Sequence, residues 1–385
     1  MDFRLSDEQK MIQESIRKMV DRDITPILKS EDPNLPLPKE KVRQIVKICA
    51  QQGLTSARLP ESAGGMGVSA LTFGIMREQL PPTVSFFCGG QEGTALRIYM
   101  GGNEEQAERY VQPLISGDIL ACSGTTEPDA GSDPRAMRTR AVEDGDYMVV
   151  NGHKMWVTGA GVCDMMLVLA TIGRDDKGHN RNIWLAVNQA ESPFVQRKIH
   201  TLGLKQGHLG EAIFDNCRVP KKNIIGDEGT GGRVLKQTWL VQRPMLGLLA
   251  VRLAERALEA ATKYAGEREM FGRKIGGFQL VQQLLADIAA AVTSSRLLCY
   301  YALNCIDNGV PSEQASSMAK RYSVDSCIRA ISLAMEVHGA IGVSTELGLE
   351  ELYRDARMLP IPDGTNQILT LIEGRALTGI SAIRG

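Results

Sequence analysis

Apolar residues recur every three to four positions near both ends of this chain and alternate with polar ones in its middle. That pattern predicts helix, then sheet, then helix. Ser6-Asp-Glu-Gln9 sets a serine three residues ahead of a glutamine, the signature of a capping box, and Met11, Ile12, Ile16, Met19 and Val20 follow at helical spacing. Helical patterning returns over 39–52, 70–80 and 103–115. Leu59-Pro-Glu-Ser-Ala-Gly-Gly-Met-Gly67 cannot be helix interior, and Cys88-Gly-Gly-Gln-Glu-Gly93 reads as a second glycine-rich loop. Residues 1–120 are therefore expected to form an N-terminal helical domain.

The character changes near residue 121. Residues 138–143, 147–150 and 155–158 read as three strands, separated by turns at Asp144-Gly-Asp146 and Asn151-Gly152. Residues 165–172 and 182–187 are further strands, and 212–219 is another, stopped by Pro220. Connections this short imply antiparallel pairing, since parallel strands need a long crossover. An antiparallel β-barrel domain is expected over 121–228.

From 229 to 385 the helical period returns. Ala250, Leu253, Ala254, Ala257, Leu258 and Ala261 form one apolar stripe, and Leu284, Ile288, Ala291, Leu298 and Cys299 another. Small residues on such stripes let helices approach closely, as in a bundle, and the surplus of apolar surface points to oligomerisation. The order carries no βαβ repeat and no G-x-G-x-x-G after a strand, which argues against a doubly wound dinucleotide fold.

Composition narrows the function classes. The 385 residues exceed one ordinary core. A net charge of -1, without runs of like charge, advertises neither a nucleic-acid surface nor an acidic tail. The eight cysteines include no C-x-x-C pair and read as core residues of a reducing compartment. The five histidines are scattered, so no metal site is expected. The opening Met1-Asp-Phe-Arg lacks the pattern of a signal peptide, and no window approaches 18 apolar residues. A cytoplasmic protein without a membrane span is expected.

Four segments carry candidate chemistry: Gly124-Thr-Thr-Glu-Pro-Asp-Ala-Gly-Ser-Asp133, Asn151-Gly-His-Lys-Met-Trp-Val-Thr158, Glu267-Arg-Glu-Met-Phe-Gly272, and Tyr353-Arg-Asp-Ala-Arg357 leading to Asp363-Gly-Thr365. Glycines and small hydroxyl residues at strand ends allow a flat ring and a pyrophosphate to approach the backbone. In order and spacing the four resemble the acyl-CoA dehydrogenase family over nearly the whole chain. The resemblance implies a helical domain, a β-barrel and a C-terminal four-helix bundle, with FAD as cofactor. Ser123, Thr125, Thr126, Trp156 and Thr158 would meet the flavin, and Ser132 its phosphates or the thioester. Arg268, Phe271, Gln279, Glu336 and Ala340 would reach the pyrophosphate and adenine across a subunit contact. Thr365 and Gln367 would complete the cofactor site, and Arg243, Pro362 and Gly364 would meet the substrate. An arginine fork suits a pyrophosphate through paired bonds. Departures from the family pattern are Met270 for threonine, Glu336 for glutamine, Ala340 for glycine and Leu240 for aspartate. An anionic Glu336 would weaken FAD affinity unless it points away.

The most informative departure is Asp363, which stands where the family has a glutamate base. The carboxylate is kept, one methylene shorter. Gln242, at the alternative base position of some members, cannot accept a proton in that role. Glu92 is a second candidate, and the plain alternatives are a solvated loop residue for Glu92 and a helix N-cap for Asp363. Phe86, Phe87, Met358, Leu359, Pro360 and Pro362 suggest a compact apolar lining. The resemblance implies desaturation of a short, branched or cyclic acyl-CoA by a homotetramer, with electrons leaving through an electron-transferring flavoprotein. Enoyl-CoA reduction, dehydrogenation at a remote carbon, or non-redox elimination on the same scaffold are alternatives. A non-catalytic scaffold protein is the alternative from another class.

Overall fold

A computed structural model describes residues 4–382; residues 1–3, on which part of the N-terminal reading rests, lie outside them. The helical first region comprises α1 (Asp7–Met19), α2 (Thr25–Lys29), α3 (Lys39–Gln51), α4 (Ala70–Glu78), α5 (Pro82–Gly101), α6 (Glu104–Gln106) and α7 (Gln112–Ile115). The capping box forms: Gln9 N donates to Ser6 Oγ at 3.1 Å and Ser6 N to Gln9 Oε1 at 3.0 Å. Ile16 and Met19 turn inward from α1.

Helix α5 corrects the loop expected at 88–93. Each interior glycine costs about 1 kcal/mol of helix propensity against alanine. Burial overrides that, because α5 is enclosed on nearly every side, and such a helix shows no amphipathic stripe. The glycines make room instead: a Cβ on Gly89 would lie 2.6 Å from Arg77 Nη2.

The middle region holds β1 (Ala121–Gly124), β2 (Arg140–Asp144), β3 (Tyr147–Thr158), β4 (Met165–Arg174), β5 (Asn180–Asn188), β6 (Val195–Lys198), β7 (Leu209–Pro220) and β8 (Ile224–Ile225). They form one sheet in the order β6-β7-β3-β2-β4-β5-β8, with β1 against β4. Most pairs are antiparallel as expected, but β1 and β2 run parallel to β4. Asn151-Gly152 is not a turn. The chain passes through it as one long strand with register shifts against β7, and Gly152 is there because a Cβ would sit 2.3 Å from Thr139 Oγ1.

In the last region, α8 (Thr230–Glu267), α9 (Gln279–Asp307) and α10 (Glu313–His338) are the long helices, with α11 (Leu349–Met358) and α12 (Asn366–Thr378) against them. A hairpin, β9 (Glu269–Met270) and β10 (Arg273–Lys274), joins α8 to α9. The alanines of the α8 stripe are fully enclosed, Leu258 is half-buried, and Ile288 and Cys299 carry the α9 stripe into the core. One stretch, Glu313–Val343, does have the length and apolarity of a membrane span, contrary to the sequence expectation. It is α10 and the turn after it, packed between α8, α9 and α12 as a core helix. All eight cysteines are buried and unbridged, and no metal-holding cluster occurs among the described residues.

Candidate active site

The loop between α11 and α12 is held by its backbone. Lys320 Nζ donates to the carbonyls of Pro362 and of Gly364, the latter at 2.5 Å. Arg243 Nε donates to the Asp363 carbonyl at 3.2 Å. Three consecutive carbonyls are thus fixed by two cations rising from α8 and α10. The Asp363 backbone is left-handed, with φ of 53°. A non-glycine residue there is a strained feature of the kind that gathers at functional sites. Thr365, not Asp363, caps α12, its Oγ1 accepting from Ile368 N at 3.3 Å. Asp363 is half-buried. Burial pushes Lys320 down to about 8, against the pull of Asp363.

The end of β3 carries a second strained residue. Trp156 has φ of 61° within the bulge against β7 and is 52% exposed. The bulge takes its ring out of the strand's alternation, and Thr158, two residues on, borders one cavity with Gly159 and Phe86. Strict alternation puts Lys154 on the inward face, where its Nζ meets Glu127 Oε1 at 2.7 Å with both side chains enclosed. Burial lowers Lys154 to about 8. Glu127 also accepts from the N–H groups of Arg138 and Thr139. Lys154 further donates to the Thr125 carbonyl at 3.2 Å, and Met155 N to that of Thr126 at 2.9 Å. The first two sequence segments are therefore stitched together by an ion pair, which period-two counting along β3 could have revealed.

Helix α5 links the two regions. Glu92 is fully buried, not a solvated loop residue, and both its oxygens accept from Arg58, at 2.7 and 2.6 Å. Arg77 donates to Gln242 Oε1 at 2.9 Å and to Ser85. Arg97 donates to Ser123 Oγ at 2.9 Å and Thr238 Oγ1 at 3.1 Å. Burial lowers both Arg77 and Arg97 to about 10, against the pull of Glu92 and Asp363. A narrow cavity of about 20 Å³ opens beside Phe86, Phe87, Gly90, Ala121 and Thr158. Leu359, expected in this lining, lies instead in the bundle core.

Three domain families match in order: acyl-CoA dehydrogenase N-terminal domain over residues 6–118, middle domain over 122–217 and C-terminal domain over 229–378. The chain is an acyl-CoA dehydrogenase family member. It is 33% identical to cyclohex-1-ene-1-carbonyl-CoA dehydrogenase of Geobacter metallireducens, with 97% of this chain and 98% of that one aligned. It is 29% identical to the caffeyl-CoA reductase–Etf complex subunit CarC of Acetobacterium woodii, over 95% and 97% of the two chains. Among solved structures, the glutaryl-coenzyme A dehydrogenase–glutaryl-CoA complex superposes with a TM-score of 0.91 at 31% identity, over 98% and 97%. A glutaryl-CoA dehydrogenase of Mycobacterium smegmatis in complex with FADH2 gives 0.88 at 27%, over 99% and 97%.

This acyl-CoA dehydrogenase is thus a flavin oxidoreductase acting on CH–CH bonds, with FAD as cofactor. The β-domain residues fit an isoalloxazine: a half-exposed indole, and threonine side chains whose neighbouring carbonyls are already bonded. The residues expected at the cofactor fall into two groups. Ser123, Thr125, Thr126, Trp156 and Thr158 lie on β1, β3 and the segment bonded to them, with Ser132 exposed at the rim. Arg97, which holds Ser123 and feels the charge of Asp363, ties this group to the loop that leads into Thr365 and Gln367. Arg268, Phe271, Gln279, Glu336 and Ala340 gather at the far end of the bundle, where Tyr264 stacks on His338 at 4.5 Å. Arg268 lies about 37 Å along α8 from Arg243, at 1.5 Å rise per residue. All five of these residues are exposed. The segment 353–357 proves to be a domain clamp. Arg354 Nη1 donates to the Leu202 carbonyl at 3.1 Å, and Asp355 Oδ1 accepts from Leu204 N at 2.5 Å.

Proposed function

We propose that this acyl-CoA dehydrogenase desaturates a short, branched or cyclic acyl-CoA, with Asp363 taking the α-proton. The observation that supports it best is the contrast within one loop: three carbonyls are fixed, while no hydrogen bond reaches the Asp363 carboxylate from the described residues. A general base needs a placed backbone and a free lone pair. The aspartate arm is shorter than glutamate by roughly 1 Å, and misplacement on that scale costs about 10²-fold in rate, so the reacting carbon must sit close to this loop. The apolar Phe86 and Phe87 beside Thr158 support a compact acyl group. Relatives acting on cyclohexenecarbonyl and glutaryl thioesters point the same way.

FAD, when bound, supplies the acceptor for the hydride leaving Cβ. Ser123, Thr125, Thr126, Trp156, Thr158, Thr365 and Gln367 hold the ring end, with Ser132 at the phosphates or thioester. Arg243, Pro362 and Gly364 border the thioester. The distant group of Arg268, Phe271, Gln279, Glu336 and Ala340 serves a neighbouring subunit, since one chain cannot bring both groups to one cofactor across that length of α8. Phe271, 91% exposed, and Leu280, 76% exposed, suit such a contact. We take the assembly to be a homotetramer in the cytoplasm that passes electrons to an electron-transferring flavoprotein, as the name of the CarC complex suggests.

The test is anaerobic mixing of the flavoprotein with saturated linear, branched and cyclic acyl-CoAs while the visible flavin band is followed. Bleaching by one class and its loss in Asp363→Asn, at unchanged flavin content, is the expected result. An Asp363→Asn enzyme that still bleaches near the parent rate removes Asp363 as base, and Glu92→Gln is then the variant to compare.

A further inference from the structure

Arg97 and Arg77 take no direct part in the proton and hydride transfers described above, yet both guanidinium groups are enclosed beside that site. Neither has a carboxylate as hydrogen-bond partner. Arg97 is met by two hydroxyl groups, and Arg77 by an amide oxygen and Ser85. The Nε of each is enclosed and has no partner. Glu92 pulls on both through space, but Arg58 takes both of its oxygens, so neither arginine bonds to it. The remaining carboxylate acting on both is Asp363, on which Arg243 and Lys320 also lean. Five cations, Arg58, Arg77, Arg97, Arg243 and Lys320, thus stand around two carboxylates, Glu92 and Asp363, with Glu313 and Asp325 acting on Arg243 and Lys320 from outside, and one of the two is neutralised when Asp363 accepts its proton. Enclosed charges are ordinarily paired, because an uncompensated one carries a large desolvation penalty.

The helix beside them is shaped to fit around these groups. Gly89, Gly93 and Arg97 follow at spacings of four on α5, so they lie on one face. The Gly89 position leaves room for Arg77, and a Cβ at Gly93 would stand 3.7 Å from both Arg97 Nη1 and Gln242 Nε2. Gly90, beside Gly89, borders the cavity with Phe86, Phe87 and Thr158. A planar guanidinium fork next to a glycine notch fits a carboxylate in two parallel bonds.

We infer that the acyl group of the substrate carries an acidic group of its own, a carboxylate read by Arg97 with Arg77 behind it, so that the thioester is a dicarboxylic monoacyl-CoA. This rests on the desaturation proposed above and names its substrate class. Arg97 is then a specificity residue.

The experiment compares succinyl-, glutaryl-, adipyl- and pimelyl-CoA with their ω-methyl esters on the intact flavoprotein. Anaerobic bleaching and the shift of the flavin band on binding are the two readouts. At least one free acid should exceed its ester by about 10- to 100-fold in kcat/KM, the range set by a hydrogen bond to a charged group. Arg97→Met should bring that acid-to-ester ratio towards one, mainly through KM, and Arg97→Lys should restore part of it. Esters or neutral acyl-CoAs outperforming the acids throughout would overturn the assignment while leaving desaturation standing. A ratio unmoved by Arg97→Met, at normal flavin content, would also overturn it. Silence from every thioester, neutral ones included, would overturn the desaturation reading itself. Should Arg97→Met fail to fold, the acid-to-ester ratio of the unaltered enzyme decides alone.

Discussion

Two acidic residues near this site are built in opposite ways. Glu92 sits within a helix and commits both oxygens to Arg58. Asp363 has its backbone carbonyl and its neighbours' carbonyls tied down while its carboxylate stays unbonded among the described residues. A structural acid is anchored through its side chain; an acid that must exchange a proton is anchored through its main chain. Both look alike in the sequence, as acids beside glycine.

The sharpest way to break that comparison is to neutralise each acid in turn. Asp363→Asn should lower the rate of flavin reduction by about 10²- to 10⁴-fold, the span of general-base contributions, with little change in melting temperature. Glu92→Gln should do the reverse. It leaves the Arg58 charge buried without its partner, a loss of about 3–5 kcal/mol visible in denaturant unfolding. If Glu92→Gln unfolds like the parent and loses bleaching instead, the two roles have been assigned backwards.

Lys320 tests whether fixing the main chain matters. Lys320→Met removes the donors to the Pro362 and Gly364 carbonyls. A loop displaced by about 1 Å should cost roughly 10² in rate, with KM changing less than kcat. A kcat equal to the parent's would show that the loop places itself.

The smallest effect concerns the domain clamp. Burial, opposed by the Leu204 N–H, pushes Asp355 up to about 6 from an ordinary 3.8. The native state thus holds this proton over a range where the unfolded chain has lost it. The contribution to stability is fully present below about pH 4 and is lost as pH rises through 6. Asp355→Asn keeps an oxygen for Leu204 N and should raise stability by roughly 1–3 kcal/mol at about pH 8, with the gain vanishing near pH 4. Thermal melts at the two pH values check the sign.

Much of this architecture is legible in local patterns. The capping box at Ser6, the alanine stripe of α8 and the hairpin at Gly145 each form where their residues stand. The loop expected around Gly89 and the turn expected at Gly152 fail for one shared cause. Glycine there answers to a side chain from another element, Arg77 in one case and Thr139 in the other, and not to a turn. Likewise the segment 353–357 reads as chemistry in the sequence, because its partners, Leu202 and Leu204, come from another domain.

Residue order by itself determined the succession of helix, sheet and helix, the family, and the retention of a carboxylate at 363, since these depend on periodicity and on residue identity along the chain. Only the tertiary structure decided which acid is tethered and which is free, and that more buried cations than carboxylates gather around the two of them. Charges and hydrogen bonds act through space over a few ångströms, and the groups concerned come from α4, α5, α8, α10 and a loop near the far end of the chain.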